Sequence, residues 1–128
     1  VTKPKVTQKR VKATKSISEK LLKLITTTLG DEKAEEIVQI DLRGRTEIAD
    51  YMIICSGRST RQVSALSEKI IDLTKTEFKI ISKTEGKNQG DWVLIDSGDV
   101  ITHIFRPEVR DFYQLEKLWS QNEILVDG

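Results

Sequence analysis

The stretch that decides the fold is Asp91-Trp-Val-Leu-Ile-Asp96-Ser-Gly-Asp99-Val-Ile-Thr-His-Ile-Phe-Arg-Pro107. Two apolar runs flank a turn of small and acidic residues, a composition typical of tight hairpins. Pro107 follows the second run and suits the first turn of a helix, where its missing N–H would have been unpaired. The stretch therefore predicts strand, turn, strand and helix, with the carboxylates Asp96 and Asp99 at the hairpin tip.

Two further helices are predicted upstream of this hairpin. The first is capped by Ser16 or Ser18, carries its apolar side chains on one face and ends at Gly30. The second is capped by Ser59 or Thr60, which follow a polar turn. Both helices have an apolar face that must be buried against another element.

Three upstream segments have the composition of strands, namely residues 36–42, 51–55 and 78–81. The run 51–55 is apolar throughout, as expected for a strand that is covered on both faces. A loop is predicted for residues 83–90. Together with the hairpin, these segments predict an α/β fold in which a mixed sheet of about five strands is flanked by helices.

Charge is distributed unevenly along the 128 residues. Residues 1–15 carry six basic side chains and no acidic one, and they hold too little apolar surface to offset the entropy lost on ordering. We predict a disordered basic tail at 1–15, a single α/β domain at 16–120 and a C-terminal tail at 121–128. The basic tail could contact RNA weakly by releasing counterions, or it could be a solubilising extension without a specific partner.

Composition excludes several classes of protein. No apolar run approaches the ~20 residues that span a bilayer, and the N-terminus lacks the apolar core of a signal peptide. One cysteine and one histidine rule out an internal disulfide, a cysteine-based zinc cage and a histidine-rich metal site. We expect a cytoplasmic protein that needs no metal or cofactor and has no membrane partner.

The acidic residues are candidates for metal-dependent nucleotidyl transfer, which needs carboxylates that converge on the same ions. Asp96 and Asp99 stand three residues apart across a turn, and no strand geometry aims both at one ion. Nothing in the sequence brings Asp41 or Asp50 to them. The acids at the tip are better explained by the preferences of the turn.

The turn Ser56-Gly57 before the second helix is a candidate anion site, since helix N-termini present free N–H groups. Arg58 and Arg61 add positive charge beside it. The glycine-rich motifs that cradle phosphates are absent, however, and helix caps use the same residues. The helix-cap interpretation is favoured.

Three single residues have both a structural and a functional interpretation. His103 lies among apolar strand residues and is predicted to be packed and hydrogen-bonded, whereas Cys55 is predicted to be an inert core thiol. Trp92 is either core filler or an interface anchor, a role in which tryptophan is common. The sequence leaves that choice open.

Short motifs from about residue 16 to residue 119 carry a family resemblance. They are Asp50-Tyr-Met-Ile-Ile-Cys-Ser-Gly57, Arg61-Gln-Val63, Glu85-Gly86, Trp92-Val-Leu-Ile-Asp-Ser-Gly-Asp-Val100, His103-Ile-Phe105 and Phe112-Tyr-Gln-Leu-Glu-Lys-Leu-Trp119. In this order and spacing they resemble the ribosomal silencing factor family, also called Iojap-like proteins.

The resemblance implies a fold similar to nucleotidyltransferases without their catalytic acids, and hence no enzymatic activity. It implies binding to the large ribosomal subunit through its fourteenth protein, which sterically blocks subunit joining and represses translation. It also implies a homodimer when the protein is free. Organelle relatives act in ribosome assembly too, so an assembly factor is an alternative, as is a nucleotidyltransferase-type enzyme or an organelle-matrix location.

The same resemblance implies a docking surface on the hairpin and on the loop that leads into it. Its residues would be Glu85, Gly86, Trp92, Asp96, Ser97 and Gly98. Position 97 is usually larger and more apolar in the family, so Ser97 removes a potential anchor and is expected to weaken or rearrange docking.

Overall fold

The protein is described by a computed structural model, which covers residues 2–113, 117 and 123–125, with side chains for residues 17–111 and 117. In chain order the elements are α1 (Thr2–Asp31), β1 (Glu35–Asp41), β2 (Tyr51–Ser56), α2 (Thr60–Phe78), β3 (Lys83–Glu85), β4 (Trp92–Asp96), β5 (Val100–Phe105), α3 (Pro107–Tyr113) and β6 (Glu123–Leu125). Within these residues, no helix combines the length and apolarity that a membrane crossing requires.

The strands form one sheet in the order β3-β4-β5-β2-β1-β6. Strands β2 and β5 are parallel neighbours at its centre, whereas the other neighbouring pairs are antiparallel. The predicted mixed α/β sheet is therefore confirmed, as is the hairpin of β4 and β5. The described sheet has six strands where the sequence predicted about five.

Helices α1 and α2 pack on one face of the sheet and bury a continuous apolar core. Ile53 and Cys55 of β2 face these helices, whereas Ile54 belongs to a second apolar cluster on the opposite face. All three side chains are fully buried. This strand is covered on both faces, as its unbroken apolar run predicted.

The predicted strand at residues 78–81 is wrong. Helix α2 continues through Phe78 and ends at Lys79, which adopts a left-handed conformation with φ 60°. Phe78 and Ile80 pack against the helical core, so their apolar character reflects burial of the helix end. The third strand lies at Lys83–Glu85, within the segment predicted as a loop.

The predicted start of the first helix is also wrong. Helix α1 begins at Thr2, and Ser18, a predicted cap, is an interior residue that is buried. Pro4 lies in the first turn, where its missing N–H costs little. The helix thus includes most of the segment predicted as a disordered tail, although side chains are described only from residue 17 onward.

The end of helix α1 departs from the prediction by a few residues. The helix continues past Gly30 to Asp31. The left-handed residue that follows is Lys33, with φ 69°. Its N–H donates to the carbonyl of Gly30, and the N–H of Ala34 donates to the carbonyl of Leu29, the two hydrogen bonds of a Schellman cap.

The C-terminal region contains a strand where the sequence predicted a tail at 121–128. Residues Glu123–Leu125 form β6 and pair antiparallel with residues 38–40 of β1. The pairing satisfies backbone groups that β1 would otherwise expose as an edge. The side chains of the predicted motif at 112–119 lie outside the described ones, apart from Lys117.

Candidate docking cleft

Strand β4 separates a closed face of the sheet from a partly open one. Val93 and Ile95 point toward the helices and are fully buried. Because side chains alternate along a strand, Trp92, Leu94 and Asp96 share the opposite face, and all three are half-buried. Trp92 therefore lies on the partly open face, where the family resemblance implied a docking surface.

Trp92 is anchored on one side by its neighbours on β5. Its ring stacks on Phe105, with centroids 4.9 Å apart and planes inclined by 24°. Its indole Nε1–H donates a 3.0 Å hydrogen bond to Nδ1 of His103. Since the side chain remains half-buried, Trp92 contributes to the core and is also partly exposed, and its role as an interface anchor stays a prediction.

His103 holds the indole in place. It is only 5% exposed, and burial lowers the pKa of its imidazole to about 4. The ring is therefore neutral at pH 7, and Nδ1 is free to accept the indole hydrogen bond. The prediction of a packed, hydrogen-bonded histidine is confirmed.

A cleft of about 690 Å³ opens beside Trp92, between the start of β4, the loop before it and helix α3. Apolar side chains line it at Trp92, Leu94 and Val109, and these are accompanied by three carboxylates. The described residues that line it are Glu85, Gly86, Gln89, Asp91, Trp92, Leu94, Glu108 and Val109. Among the described lining residues, the cleft thus combines an apolar surface with acidic groups and has no basic side chain.

Gly86 lets the loop approach the strand closely. Its φ is +81°, and a Cβ at this position would lie 2.1 Å from the carbonyl oxygen of Trp92. Its own carbonyl accepts the N–H groups of Gln89 and Gly90, and Lys87 forms an ion pair with Glu68 of α2. A side chain at position 86 would push the loop away from β4.

The carboxylates of the cleft differ in how they are paired. Arg106 bridges two of them, with contacts of 3.4 Å to Asp91 and 2.9 Å to Glu108. Glu85 is exposed and makes no ion pair with any residue that the structure describes. Among the described side chains, Arg106 supplies one positive charge against the three carboxylates, so the cleft keeps an excess of negative charge.

A buried arginine fastens the helix that forms one wall of the cleft. Arg110 of α3 is 5% exposed and donates hydrogen bonds of 2.7 Å to the carbonyl of Glu36 and 3.0 Å to Oγ of Ser56. Glu36 lies at an irregularity of β1 and has φ 49°. The arginine therefore ties Val109 and its neighbours to the centre of the sheet.

The residues of the predicted docking surface are not all in one place. Glu85, Gly86 and Trp92 line the cleft together. Asp96 shares their face of the sheet but lies about 13 Å from Trp92 along the strand. Its Oδ1 accepts the N–H of Gly98 at 2.9 Å, and Gly98 is exposed at the hairpin tip.

Ser97 is a correction to the predicted surface. It is 1% exposed, and its hydroxyl lies 2.8 Å from that of Ser82, which lies 3.1 Å from that of Thr74. The side chain therefore belongs to a hydroxyl chain between α2 and the hairpin and is not presented to a partner. Strict alternation from Asp96 would have predicted this direction.

Several cleft residues were missed from the sequence. Leu94 stands two positions after Trp92 and could have been found from strand periodicity. Val109 and Glu108 come from α3, and Asp91 precedes β4. No local pattern shows that the helix returns beside the strand, so these residues required the fold.

The acids considered for metal chemistry are engaged or dispersed. Asp41 forms a 2.8 Å ion pair with Arg43, whose hydrogen bond holds the pKa of that carboxyl below its usual value. Burial, and then the nearby charge of Asp50, raise the pKa of Asp99. In the described part of the chain, no group of three or more His, Cys, Asp or Glu could hold a metal ion.

The start of helix α2 uses its N–H groups internally. Ser59 caps the helix by accepting the N–H of Gln62 at 3.1 Å, and the side chain of Gln62 accepts the N–H of Arg58 at 2.6 Å. Arg58 also pairs with Glu35 at 3.0 Å. This pattern confirms the helix-cap interpretation and occupies groups that an anion would need.

Cys55 shows no reactive character. Its thiol is fully buried, and burial raises its pKa to about 12. A thiol with so high a pKa stays protonated at neutral pH, and the thiolate is the nucleophile. The prediction of an inert core thiol is confirmed.

Comparisons with known proteins show what this chain is similar to. A sequence model of the family described as "Ribosomal silencing factor during starvation" matches residues 14–127. The "Ribosomal silencing factor RsfS" of Zymomonas mobilis is 54% identical over 102 residues, covering 80% of this chain and 77% of the relative. The mouse protein "Mitochondrial assembly of ribosomal large subunit protein 1" is 35% identical over 101 residues, covering 76% of this chain and 44% of the relative. A crystal structure of a Chromobacterium violaceum protein superposes with a TM-score of 0.74 at 37% identity, covering 80% of this chain and 85% of that chain.

Proposed function

The chain belongs to the ribosomal silencing factor family, and from that premise we propose that it represses translation by binding the large ribosomal subunit. The contact is made with the fourteenth protein of that subunit, on the face that meets the small subunit. Occupation of this face blocks subunit joining by steric exclusion. No chemical step is required.

The cleft beside Trp92 is the observation that carries this proposal. A half-buried tryptophan that stacks on Phe105 and lines the cleft is a preorganised anchor. Its neighbours Leu94 and Val109 extend the apolar area, and polar groups surround it, as in a typical interface. A standard interface buries about 800 Å² on each partner, which a domain of this size can supply.

Co-sedimentation with purified large subunits tests the binding step, and a subunit-joining assay tests its consequence. We expect the protein to sediment with large subunits and to reduce the fraction of joined ribosomes in proportion to its occupancy. Small subunits alone serve as the control and should not retain it. Joining that is unaffected when the large subunits are saturated would overturn the steric mechanism.

The proposal includes the absence of catalysis. The geometry supports it, because Asp96 is engaged by Gly98, Asp41 by Arg43, and the start of α2 by its own side chains. A nucleotidyltransferase would turn over labelled nucleoside triphosphate with Mg²⁺. We expect no turnover above that of a heat-denatured sample, and dose-dependent turnover would restore the enzymatic alternative.

Assembly of the large subunit is a second candidate function, favoured by the name of the mouse relative. The two functions differ in when the protein acts. A silencing factor changes the joining of mature subunits, whereas an assembly factor leaves large-subunit precursors in cells that lack it. Sucrose-gradient profiles of depleted cells distinguish the two outcomes.

Two features expected from the resemblance or the charge pattern remain part of the proposal. The free protein is a homodimer, which sedimentation equilibrium tests directly. The basic segment 1–15 adds a weak contact to ribosomal RNA. Its deletion should reduce the salt dependence of ribosome binding without removing the binding itself.

A further inference from the structure

The charge of the cleft points to the chemistry of its occupant. We propose that the cleft receives a lysine or arginine side chain of the partner protein, whose charged end pairs with Glu85. This inference rests on the proposed function, since it takes the ribosomal partner as given. It adds the kind of side chain that the cleft accepts and the residue that selects it.

Glu85 is placed to make such a contact. It lies directly opposite Leu94 in the ladder of β3 and β4, so its side chain shares a face with Trp92, its diagonal neighbour at about 7–8 Å. It is exposed and has no ion-pair partner among the described residues. A cation that approaches it loses little hydration, and pairing with it is favourable.

The apolar part of the cleft suits the stem of a long basic side chain. Lysine and arginine lay their methylene groups along apolar surface while the charged end stays hydrated. Trp92, Leu94 and Val109 provide that surface within the same cleft. A short cation or a hydrated metal ion would leave this surface without a contact.

Two of the carboxylates that line the cleft already pair with an arginine of the same chain. Arg106 places its guanidinium between Asp91 and Glu108, two of the three lining carboxylates. An internal arginine therefore satisfies these two acids and leaves Glu85 for the partner. The same charge excludes RNA as the occupant, because phosphates would be repelled by the carboxylates that line the cleft.

The test measures the affinity for the fourteenth large-subunit protein, cloned from the same source as this chain, at two salt concentrations. Glu85→Gln keeps the shape of the side chain and removes its charge. We expect it to weaken binding about five- to tenfold at low salt and to reduce the salt dependence. Glu77→Gln, at an exposed position of α2, is the matched control and should change affinity less than twofold.

A charge-reversal scan identifies the partner residue. Each lysine and arginine of the fourteenth protein is changed to glutamate and combined with Glu85→Lys. One combination should recover at least about fivefold of the affinity lost in the single variants, and none should do so with Glu77→Lys. Circular dichroism and urea unfolding of each variant verify that it is folded.

The outcomes separate the two proposals. If the unchanged protein binds and Glu85→Gln has no effect at either salt concentration, the inference is overturned and the proposed function stands. If the unchanged protein does not bind, the proposed function fails and the inference falls with it. If deletion of residues 1–15 tightens binding and abolishes the effect of Glu85→Gln, the occupant is the basic segment of this chain, which also overturns the inference.

Discussion

The two faces of strand β4 differ in how completely their side chains are buried. On the helical face, Val93 and Ile95 are fully buried in a core that α1 and α2 close. On the other face, Trp92 and Leu94 are half-buried beside a cleft lined with carboxylates. One strand of five residues thus carries both a sealed core and an open surface.

This difference separates stability from recognition. Fully buried aliphatic groups contribute to folding and have no surface left for a partner. Half-buried aromatic groups beside unpaired charge are less favourable for the isolated protein, but they gain when a partner excludes water. Substitutions on the helical face should therefore reduce mainly stability, and substitutions on the other face should reduce mainly binding.

The largest expected effect is on the helical face. Ile53→Ala in the central strand removes a fully buried side chain and should lower the free energy of unfolding by about 3–4 kcal/mol. Urea unfolding followed by circular dichroism measures this loss. Ribosome binding of the folded fraction should stay within twofold, and a selective loss of binding would break the comparison.

Trp92→Ala on the open face should weaken large-subunit binding by about 30- to 300-fold, since interface tryptophans commonly contribute 2 kcal/mol or more. Unfolding should also be easier by about 2 kcal/mol, because the stack on Phe105 and the hydrogen bond to His103 are lost.

Co-sedimentation of the variant is therefore compared at a temperature where it remains folded. Ile48→Ala is the matched control, because Ile48 is an exposed apolar residue in the loop before β2, 73% accessible. It should bind normally. Normal binding by Trp92→Ala would remove the cleft from the proposed interface.

Acidification should act through His103, which pairs with Leu94 and lies on the same face of the sheet as Trp92. The pKa of His103 is about 4 in the folded protein, below the usual 6.5. As the pH falls, the unfolded chain therefore becomes protonated at His103 before the folded protein does. Stability therefore falls as the pH drops from about 6.5 to 4, by about 3 kcal/mol in total for this residue. His103→Gln can still accept from the indole and should show a smaller loss over this range.

Urea unfolding of both proteins at several pH values measures the difference. Other groups titrate in both proteins and cancel when the two curves are subtracted. Parallel curves between pH 4 and 6.5 would show that burial of His103 is not linked to folding. The predicted contribution of His103 to the pH dependence of stability would then be wrong.

The smallest expected effect concerns Ser97. Ser97→Ala breaks the hydroxyl chain to Ser82 and should lower the free energy of unfolding by about 1 kcal/mol. Ribosome binding should be unchanged, since the side chain faces away from the cleft. A loss of affinity without a loss of stability would restore Ser97 to the docking surface.

Local patterns predicted much of the fold. The hairpin of β4 and β5, the central strand β2, the cap at Ser59 and the helix at Pro107 all follow from residues close in sequence. The errors arose where local signals were ambiguous. Phe78 and Ile80 are apolar because they pack at a helix end, and residues 123–125 form a strand because β1 offers an edge to pair with.

The sequence by itself determined the β4–β5 hairpin, the central strand β2 and the helices α2 and α3, and it pointed to Glu85, Gly86 and Trp92, because caps, turns, periodicity and family motifs lie in short segments. The tertiary structure alone decided what these residues form together. The cleft is shaped by β3, β4 and α3, which are separated in the chain. Arg106 pairs with two of the lining acids, and this decides which carboxylate is left for a partner. Those pairings depend on distances in the folded protein, which no local sequence pattern shows.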